Sequence, residues 1–326
     1  MNKYKLFNFS KRLGLFLLVI FTVVSLVTIL IELVPGDPAV ARLGDQATPA
    51  QIQAFRKRHD LDSPAFFFTY SGEKGLTWNG ANNRYWTYWK GVVQGDLGTS
   101  FDTNRPVLDM ILERYPMTIK LTLAALLVAV LISLPLGVLA GTNKNSWIDN
   151  FSSIFALMGI CLPGFVIGPL LVYLFAVKIQ IFQPSGYQYP EDIILPAITL
   201  GAALSAILTR MIRSSVIEEL GEDYVRTARA KGLSERVVVY KHVLKNGLIP
   251  VVTILGLQLG VLLAGAIITE RIFNIRGIGT LLLDGISTRD HRLVQGVVLV
   301  ISITYILANS LTDMLYRRLD PRIRLN

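Results

Sequence analysis

The sequence has few of the residues on which disulfide-bonded and metal-binding proteins depend. It holds one cysteine, Cys161, and three histidines, His59, His242 and His291, in 326 residues. A single cysteine excludes an intramolecular disulfide, and Cys161 lies inside an apolar block, where we interpret it as a packing residue. The histidines are too scattered for their spacing to predict a metal cluster.

The sequence patterns of common catalytic sites are also missing. No G-x-x-x-x-G-K-[ST] occurs, and no Gly-Lys dipeptide exists to begin one. There is no G-x-S-x-G elbow and no H-E-x-x-H. We therefore predict that the chain binds no ATP through a P-loop and holds no cofactor. An intramembrane enzyme stays open, because it would need only paired polar residues within the apolar segments.

Charged residues are scarce, at 17% of the chain, whereas 52% is hydrophobic and the mean hydropathy is +0.49. This is more apolar surface than a single soluble core needs. The apolar residues come in blocks of about 20, the length with which a helix crosses a hydrocarbon layer of ~30 Å. Because the blocks are continuous and do not alternate, they predict helices and not a barrel.

Six blocks are predicted to span a membrane. They are Leu13–Val34, Ile119–Ala140, Phe151–Val177, Ile193–Ile212, Ile249–Thr269 and Val294–Leu311. The first could instead be a signal peptide, with Ala39-Val40-Ala41 as its cleavage site. A retained helix is favoured, because the block exceeds the ~7–15 residues of a signal core.

The distribution of basic residues predicts the orientation. The net charge is +9, but no basic domain of adequate length for nucleic-acid binding is present, so no nucleic-acid partner is predicted. Eight Lys and Arg residues lie from Arg210 to Lys245, against none between Ile179 and Pro190 and four from Arg271 to Arg292. Since cytoplasmic loops carry the excess, both termini are predicted to be cytoplasmic.

The segment 35–116 is then placed on the outer side of the membrane. Five of its aromatic residues could stack on a ligand, although an interfacial belt or local packing is the favoured interpretation. They are Trp78, Tyr85, Trp86, Tyr88 and Trp89.

The segment 221–250 predicts two short helices joined at Gly232. Glu222 and Asp223 lie in a first helical turn and Lys231 in a last one, and Gly232 stands where helices commonly end in a left-handed residue. Ser234 can cap the second helix. The apolar stripe of that second helix is predicted at Val237, Tyr240, Val243 or Leu244, and Leu248.

The first of these helices has two distinct faces. Glu222, Arg226 and Arg229 share a polar face, while Val225 and Ala228 line another. The helix is too short to be stable alone, so its own bundle, lipid headgroups or a partner protein must support it. Small residues favour docking into a groove, but a basic loop beside anionic lipid is equally open. The small residues are Thr227, Ala228 and Ala230.

These residues resemble the EAA loop of binding-protein-dependent ABC importers, in the form found in dipeptide and oligopeptide permeases. The resemblance lies in Gly221-Glu222-Asp223-Tyr224 followed by Val225-Arg226-Thr227-Ala228-Arg229-Ala230-Lys231-Gly232-Leu233. Shorter motifs extend it through most of the chain: Pro35-Gly36-Asp37-Pro38, Gly95-Asp96-Leu97-Gly98, Leu195-Pro196, Gly277-Ile278-Gly279, Arg289-Asp290 and Asp320-Pro321-Arg322-Ile323-Arg324.

In that family the EAA segment is a coupling helix that docks into a cleft of an ATPase subunit. Carried over by residue, the glutamate position falls on Arg226, the two alanines on Thr227 and Ala228, and the glycine on Gly232. The resemblance therefore implies an ATPase-coupling set made of Glu222, Asp223, Tyr224, Arg226, Thr227, Ala228, Arg229, Ala230, Lys231 and Gly232.

The resemblance also implies a fold and a location. The expected fold is an all-α membrane protein with six transmembrane helices, the type I ABC importer permease fold, and a large extracytoplasmic loop after the first helix. The implied location is a bacterial cytoplasmic (inner) membrane. The expected parts are the cytoplasmic N-terminus with the first helix (1–34), the extracytoplasmic loop (35–116), a five-helix core (117–312) containing a cytoplasmic coupling loop (213–248), and a cytoplasmic tail (313–326).

The function implied is transport and not catalysis. ATP and Mg would be bound by two partner ATPase subunits or domains. A second homologous permease would complete the pathway, an extracytoplasmic binding protein would deliver the cargo, and membrane lipid would surround the chain. Peptides are the expected cargo, with nickel chelate, glutathione or oligosaccharide as alternatives and a passive channel or membrane enzyme as remoter ones. Residues 71–84 look like an insertion relative to the family's usual outer loop.

Few polar residues lie within the predicted spans. Arg210 and Glu270 fall near span ends, where a long side chain reaches water at low cost, and Gln258 lies nearer a centre. These three are candidates for the cargo pathway or gate, although Gln258 could equally bond across helices. Glycines of the fifth block are predicted to serve close packing and not gating. They are Gly256, Gly260 and Gly265.

Overall fold

The long apolar blocks form helices in the computed structural model, which describes residues 3–33, 36–44, 46–71 and 75–319. Pro35 and the terminal motif Asp320 to Arg324 lie outside the described residues. The elements in chain order are α1 (Lys3–Leu33), α2 (Pro38–Leu43), α3 (Pro49–Arg58), β1 (Phe68–Ser71), β2 (Gly75–Trp78), α4 (Arg84–Val93), α5 (Val107–Thr142), α6 (Trp147–Cys161), α7 (Gly164–Leu171), a π-helical stretch (Val172–Lys178), a 3₁₀ turn (Pro190–Ile193), α8 (Ile194–Leu220), α9 (Asp223–Ala230), α10 (Glu235–Val237), a second π-helical stretch (Val238–Val243), α11 (Leu244–Gly247), α12 (Ile249–Leu263), α13 (Ile267–Ile272), α14 (Ile278–Ser287) and α15 (His291–Leu319).

Four helical segments of the described chain are long and apolar enough to cross a membrane. They are Gly14–Leu33, Val107–Thr142, Pro190–Leu220 and His291–Met314. Two further pairs reach that length only together, across a bend: Trp147–Cys161 with Gly164–Lys178, and Glu235–Gly247 with Ile249–Leu263. The described chain thus has four spans, or up to six if each bent pair is one span, and six stays a prediction.

The predicted span Phe151–Val177 is not one straight helix. Its two halves meet at an angle of 102°. Leu162 is extended, with φ −91° and ψ 112°, because the ring of the following proline disfavours a helical residue before it. Pro163, the N-cap of α7, has φ −65°. The predicted span therefore consists of two helical segments, and the Leu162-Pro163 dipeptide is the reason for the break.

The chain divides into two compact units, residues 1–116 with 278–303 and residues 117–277 with 304–326. The expected core 117–312 is therefore interrupted, because 278–303 packs with the first 116 residues. Two expected boundaries also move. α8 continues to Leu220, since no glycine or proline interrupts residues 213–220, and α15 continues to Leu319 beyond the expected end at 312.

In the first unit, the Arg289-Asp290 motif joins two segments that are distant in sequence. Asp290 is fully buried, and its carboxylate accepts hydrogen bonds from the Ser100 hydroxyl (2.6 Å) and the Phe101 amide (2.7 Å), just after the Gly95–Gly98 motif. Gly36 has φ +119°, and a Cβ there would overlap the Arg289 guanidinium. Gly36, the Arg289-Asp290 motif and the residues just after the Gly95–Gly98 motif therefore lie close together in the first unit.

The stretch that looks like an insertion contributes to a β-hairpin. β1 and β2 are antiparallel, with Phe68 opposite Trp78 and Thr69 opposite Thr77. The two threonine hydroxyls are 3.0 Å apart, so they hydrogen-bond across the strands. Residues 72–74, between the strands, lie outside the described residues.

The aromatic residues of the first unit pack largely on one another. The Tyr85 ring is 5% exposed and contacts Phe21 of α1 at 6.2 Å and Trp89 at 6.3 Å between ring centroids. Tyr88 is also covered, and burial raises the pKa of its hydroxyl. Trp78 is 64% exposed. Local packing thus accounts for Tyr85 and Trp89, as favoured from the sequence.

In the second unit, α5 and α8 approach closely through two glycines. A Cβ on Gly137 would lie 2.6 Å from the Ile212 Cβ, and one on Gly141 would lie 2.7 Å from the Val216 Cβ. Small residues one turn apart are the usual means by which membrane helices bring their backbones together. This contact sets α8 firmly against α5, just before α8 leads into α9.

The glycines of α12 pack against α15. A Cβ on Gly256 would lie 2.1 Å from the Thr312 Cγ2, and one on Gly260 would lie 3.1 Å from the Asn309 Oδ1. The packing prediction is confirmed for both. Gly265 lies instead in the turn after α12.

Candidate functional site

The segment after α8 folds as two helical pieces on either side of Gly232, as the sequence predicts. Gly232 has φ +76°, its amide donates to the Arg229 carbonyl at 2.9 Å, and the Leu233 amide donates to the Ala228 carbonyl at 3.4 Å. These two bonds form a Schellman motif, which satisfies carbonyls that the helix end leaves open. Gly232 therefore terminates α9.

One face of α9 packs into its own chain. Val225 is 0% exposed and Ala228 is 5% exposed. They belong to a buried cluster with residues of α8, α11 and the second π-helical stretch, among them Ile212, Val216, Val238, Val243 and Leu244. The helix is thus supported by its own bundle, which was one of the three supports left open by the sequence.

The opposite face of α9 is polar and exposed. Arg226 lies 3.5 Å from Asp223, and the two side chains are 74% and 95% exposed. Thr227, Ala230 and Lys231 are exposed on the same helix. Exposed ion pairs contribute little to stability, at about 0–1 kcal/mol. This face is therefore available to contact another molecule.

Tyr224 ties α9 back to the end of α8. Its hydroxyl donates to a carboxylate oxygen of Glu219. Burial, together with this bond, raises the pKa of Tyr224 to about 12, so the hydroxyl keeps its proton at neutral pH. α9 is therefore attached to α8 by a polar bond as well as by apolar packing.

The second helical piece differs from its prediction. Ser234 occupies the N-cap position, but its side chain makes no capping bond. Val237 and Tyr240, expected on the apolar stripe, are 38% and 67% exposed. The π-helical stretch explains the difference, because its wider turn moves the buried face away from a 3.6-residue period. The buried stripe is Val238, Val239, Val243 and Leu244.

The three pathway candidates lie in different surroundings. Arg210 is an exposed residue of α8, and Gln258 is half-buried on α12. Glu270 does not reach water at a span end: it is 0% exposed, and the Thr118 hydroxyl donates to its carboxylate at 2.8 Å. The packing of α13 against the unit encloses it, and a Cβ on Gly277 would overlap its carboxylate. The structure does not bring the three side chains together.

The described part of the chain holds no cluster of three or more His, Cys, Asp or Glu residues that could bind a metal ion. His59 is buried beside Phe55 and Phe101, and this burial, with Arg58 nearby, lowers the pKa of its imidazole. Aromatic neighbours explain its position without a ligand.

Comparison with known proteins extends the match beyond the segment around α9. Residues 133–325 match the family model of the binding-protein-dependent transport system inner membrane component, and residues 6–122 match the model of the N-terminal region of such membrane components. The chain belongs to this family. The permease is therefore an inner-membrane component of an ABC importer, which confirms the resemblance seen in the sequence.

Relatives match over nearly the whole permease. It is 39% identical over 314 residues to the glutathione transport system permease protein GsiC of Escherichia coli O6:H1, covering 96% of this chain and 97% of the relative. GsiC of Shigella dysenteriae serotype 1 is 38% identical with the same coverage.

Solved structures share the permease's fold. An inward-facing form of the MetNI methionine ABC transporter matches with a TM-score of 0.53 and 17% identity, over 65% of this chain and 97% of that chain. An amino acid ABC transporter with histidines matches with a TM-score of 0.51 and 18% identity, over 65% of this chain and 94% of that chain.

Proposed function

We propose that the permease pairs with a second, homologous permease to form an ATP-driven import pathway, and that α9 couples it to the ATPases. The observation that carries this proposal is the two-faced packing of α9. Val225 and Ala228 hold it to the bundle, while Arg226 and Lys231 face outward. Such a helix can bind a partner on one side and move its own bundle with the other.

The coupling set proposed from the sequence fits this arrangement. Its exposed members, such as Asp223, Thr227 and Ala230, would enter a cleft of the ATPase. Tyr224, bonded to Glu219, would transmit closure of the ATPases to α8. Import requires that ATP binding favours one conformation of the bundle. This happens only if the ATP-bound ATPases bind that conformation more tightly than the other. ATP and Mg would be bound entirely by two partner ATPase subunits or domains.

The proposed cargo is a small peptide, with glutathione as the first compound to test. This choice rests on the GsiC relatives, which are named for glutathione transport. Nickel chelate and oligosaccharide are the other candidates, because the sequence resemblance does not separate them. An extracytoplasmic binding protein would select the cargo, and Gln258 on α12 is a candidate to contact it in the pathway.

The proposed topology has six membrane spans, with each bent pair counted as one, and both termini in the cytoplasm. Basic residues are concentrated from Arg210 to Lys245, around α9, as the positive-inside rule requires of a cytoplasmic segment. The segment 35–116 would then be the large extracytoplasmic loop. The membrane would be the cytoplasmic membrane of a bacterium.

Uptake by the complete transporter tests this function. The permease, co-expressed with its neighbouring transport subunits, is reconstituted into vesicles with ATP enclosed on the α9 side and radiolabelled glutathione outside with the binding protein. We expect accumulation that needs both ATP and the binding protein. Flux without ATP would identify a passive channel, and chemical change of the compound by the permease alone would identify an enzyme; either result would overturn the proposal.

A further inference from the structure

A basic cavity lies between α6 and α8, near the end of each helix that is closer to α9. It has a volume of about 220 Å³, and its polar lining includes Ser152, Ser153 and Arg210. A second cavity of about 510 Å³ lies on the other side of Arg210, with Ser214 in its lining. Arg210 therefore lines two cavities, and each of them also has serine residues in its lining.

Two side chains at this place have hydrogen-bonding capacity that the described residues do not use. Ser152 is 1% exposed, and its hydroxyl has no hydrogen-bond partner. Arg210 makes no side-chain hydrogen bond or ion pair within the described part of the chain. Buried polar groups normally find partners, so the unpaired Ser152 hydroxyl, in a cavity that the exposed Arg210 also lines, indicates a missing acceptor. Arg and Ser together are typical ligands of phosphate oxygens.

The neighbouring ion pair leaves this positive charge uncompensated. The Arg213 Nη2 lies 2.9 Å from the Asp149 Oδ2, and the Arg213 Nε also donates to the same carboxylate. Asp149 is 3% exposed, so its charge is fully engaged with Arg213. Arg210 therefore gives the cavity one net positive charge, which favours an anion over a zwitterion.

The lining of the cavity is polar at one end and apolar at the other, which matches the headgroup and acyl chains of a lipid. α6 and α8 are antiparallel here, because Asp149 meets Arg213 while Gly159 meets Ala206. Moving inward from the ion pair, the serines and Arg210 come first, about 5 Å along the axis, and apolar residues follow. These are Leu157, Ile160 and Ile207, which are 61%, 49% and 40% exposed.

We propose that Arg210, Ser152 and Ser153 bind the phosphodiester headgroup of an anionic phospholipid, whose acyl chains lie along Leu157 and Ile160. The lipid belongs to the leaflet on the side of α9, where basic pockets between helices select acidic headgroups. The choice of leaflet rests on the proposed function, which places α9 on the cytoplasmic side of the membrane. The same arginine was a pathway candidate in the sequence, so the test separates these two roles.

Lipid retention by the purified complex tests the proposal without ATP or cargo. The full chain, with its co-purifying subunits, is washed in mixed micelles of phosphatidylglycerol or phosphatidylcholine, and bound lipid is quantified by native mass spectrometry. We expect a preference for phosphatidylglycerol of about tenfold, the factor that one charge-assisted hydrogen bond supplies. Arg210→Gln should abolish that preference, whereas Arg236→Gln, at another exposed arginine, should leave it unchanged.

Three outcomes would overturn the proposal. The first is equal retention of phosphatidylglycerol by Arg210→Gln and wild type. The second is displacement of the lipid by inorganic phosphate alone, which would identify a free-anion site. The third is a loss of cargo uptake in Arg210→Gln with lipid retention intact, which would assign the arginine to the pathway. Failure in lipid retention leaves the proposed transport function untouched, because retention is measured without transport.

Ser152→Ala keeps the proposal testable if Arg210→Gln does not fold. Without anionic lipid, this variant should unfold at the same temperature as wild type or higher, since it removes a buried unpaired hydroxyl. With phosphatidylglycerol, its gain in unfolding temperature should be smaller than that of wild type. An equal gain would contradict a role for Ser152 in headgroup binding.

Discussion

Arg229 of α9 and Glu235 of α10 form an ion pair with an Nε to Oε1 distance of 2.7 Å, one on each side of Gly232. Both side chains are largely exposed, at 42% and 64%, so the pair contributes little to stability. Its position matters more than its energy. Together with the bonds that end α9, it sets the direction in which the chain leaves Gly232.

Gly232→Val should weaken coupling, because valine is strained at φ +76°. A Cβ there meets no atom within 4 Å, so the cost is backbone strain of about 1–2 kcal/mol and not a clash. Asparagine tolerates the left-handed region, which makes Gly232→Asn the matched control. ATPase co-purification and ATP-driven uptake are the measurements. If valine and asparagine both behave as wild type, Gly232 does not set the coupling geometry.

Reversal of charge on the exposed face of α9 should impair docking. In the double variant Arg226→Glu and Arg229→Glu, we expect ATPase retention to fall at least tenfold, since the change inverts the charge that this face presents to its partner. Membrane insertion should be unchanged. Lys241→Glu with Lys245→Glu is the control, because both lysines are exposed but lie outside α9. Normal ATPase retention in the α9 variant would exclude this face as the docking surface.

The bond between Tyr224 and Glu219 should make stability depend on pH in the alkaline range. The folded pKa of Tyr224 is about 12, above the ordinary value of 10.0, so its stabilising contribution is complete below pH 10 and is lost as the pH rises towards 12. Tyr224→Phe removes this dependence. Thermal unfolding of both proteins from pH 9 to 12 is the measurement, and identical slopes would show that the tyrosine is not held protonated by the fold.

Gly277→Ala should destabilise the second unit through Glu270. A Cβ at this position would lie 2.2 Å from the Glu270 Oε1, and the carboxylate is fully buried. Overpacking of this kind costs about 1–3 kcal/mol. Gly164→Ala is the control, because the nearest atom to its Cβ would be 3.9 Å away. A normal unfolding temperature for Gly277→Ala would mean that Glu270 can move aside freely.

The two helices around Gly232 show which structural features local sequence patterns can predict. α9 was predictable because its capping glycine, its acidic first turn and its two faces depend on residues within one or two turns. The second helix also has a helical spacing of apolar residues in the sequence, yet Val238 and Val239 are buried in place of Val237 and Tyr240. The π-helical stretch Val238–Val243 has Val238 and Val239 on its buried face, and a pattern based on 3.6 residues per turn does not anticipate that.

Glu270 shows the same limit in the cargo-pathway predictions. Its place near the end of an apolar block indicated a side chain that reaches water. The turn after α12 instead returns the chain into the unit, where Thr118 of α5 donates to the carboxylate. No feature near Glu270 in the sequence indicates a partner that lies more than a hundred residues earlier. Arg210 is similar, since only the approach of α6 reveals the unpaired Ser152 beside it.

The sequence by itself determined that this chain is a bundle of apolar helices, that α9 ends at Gly232, and which family the chain resembles, because each of these depends on composition or on closely spaced residues. Only the tertiary structure decided that Asp290 joins Ser100 to the start of α15, and that α9 is held by its own bundle. Such features come from contacts between distant segments, and spacing along one chain does not encode their geometry.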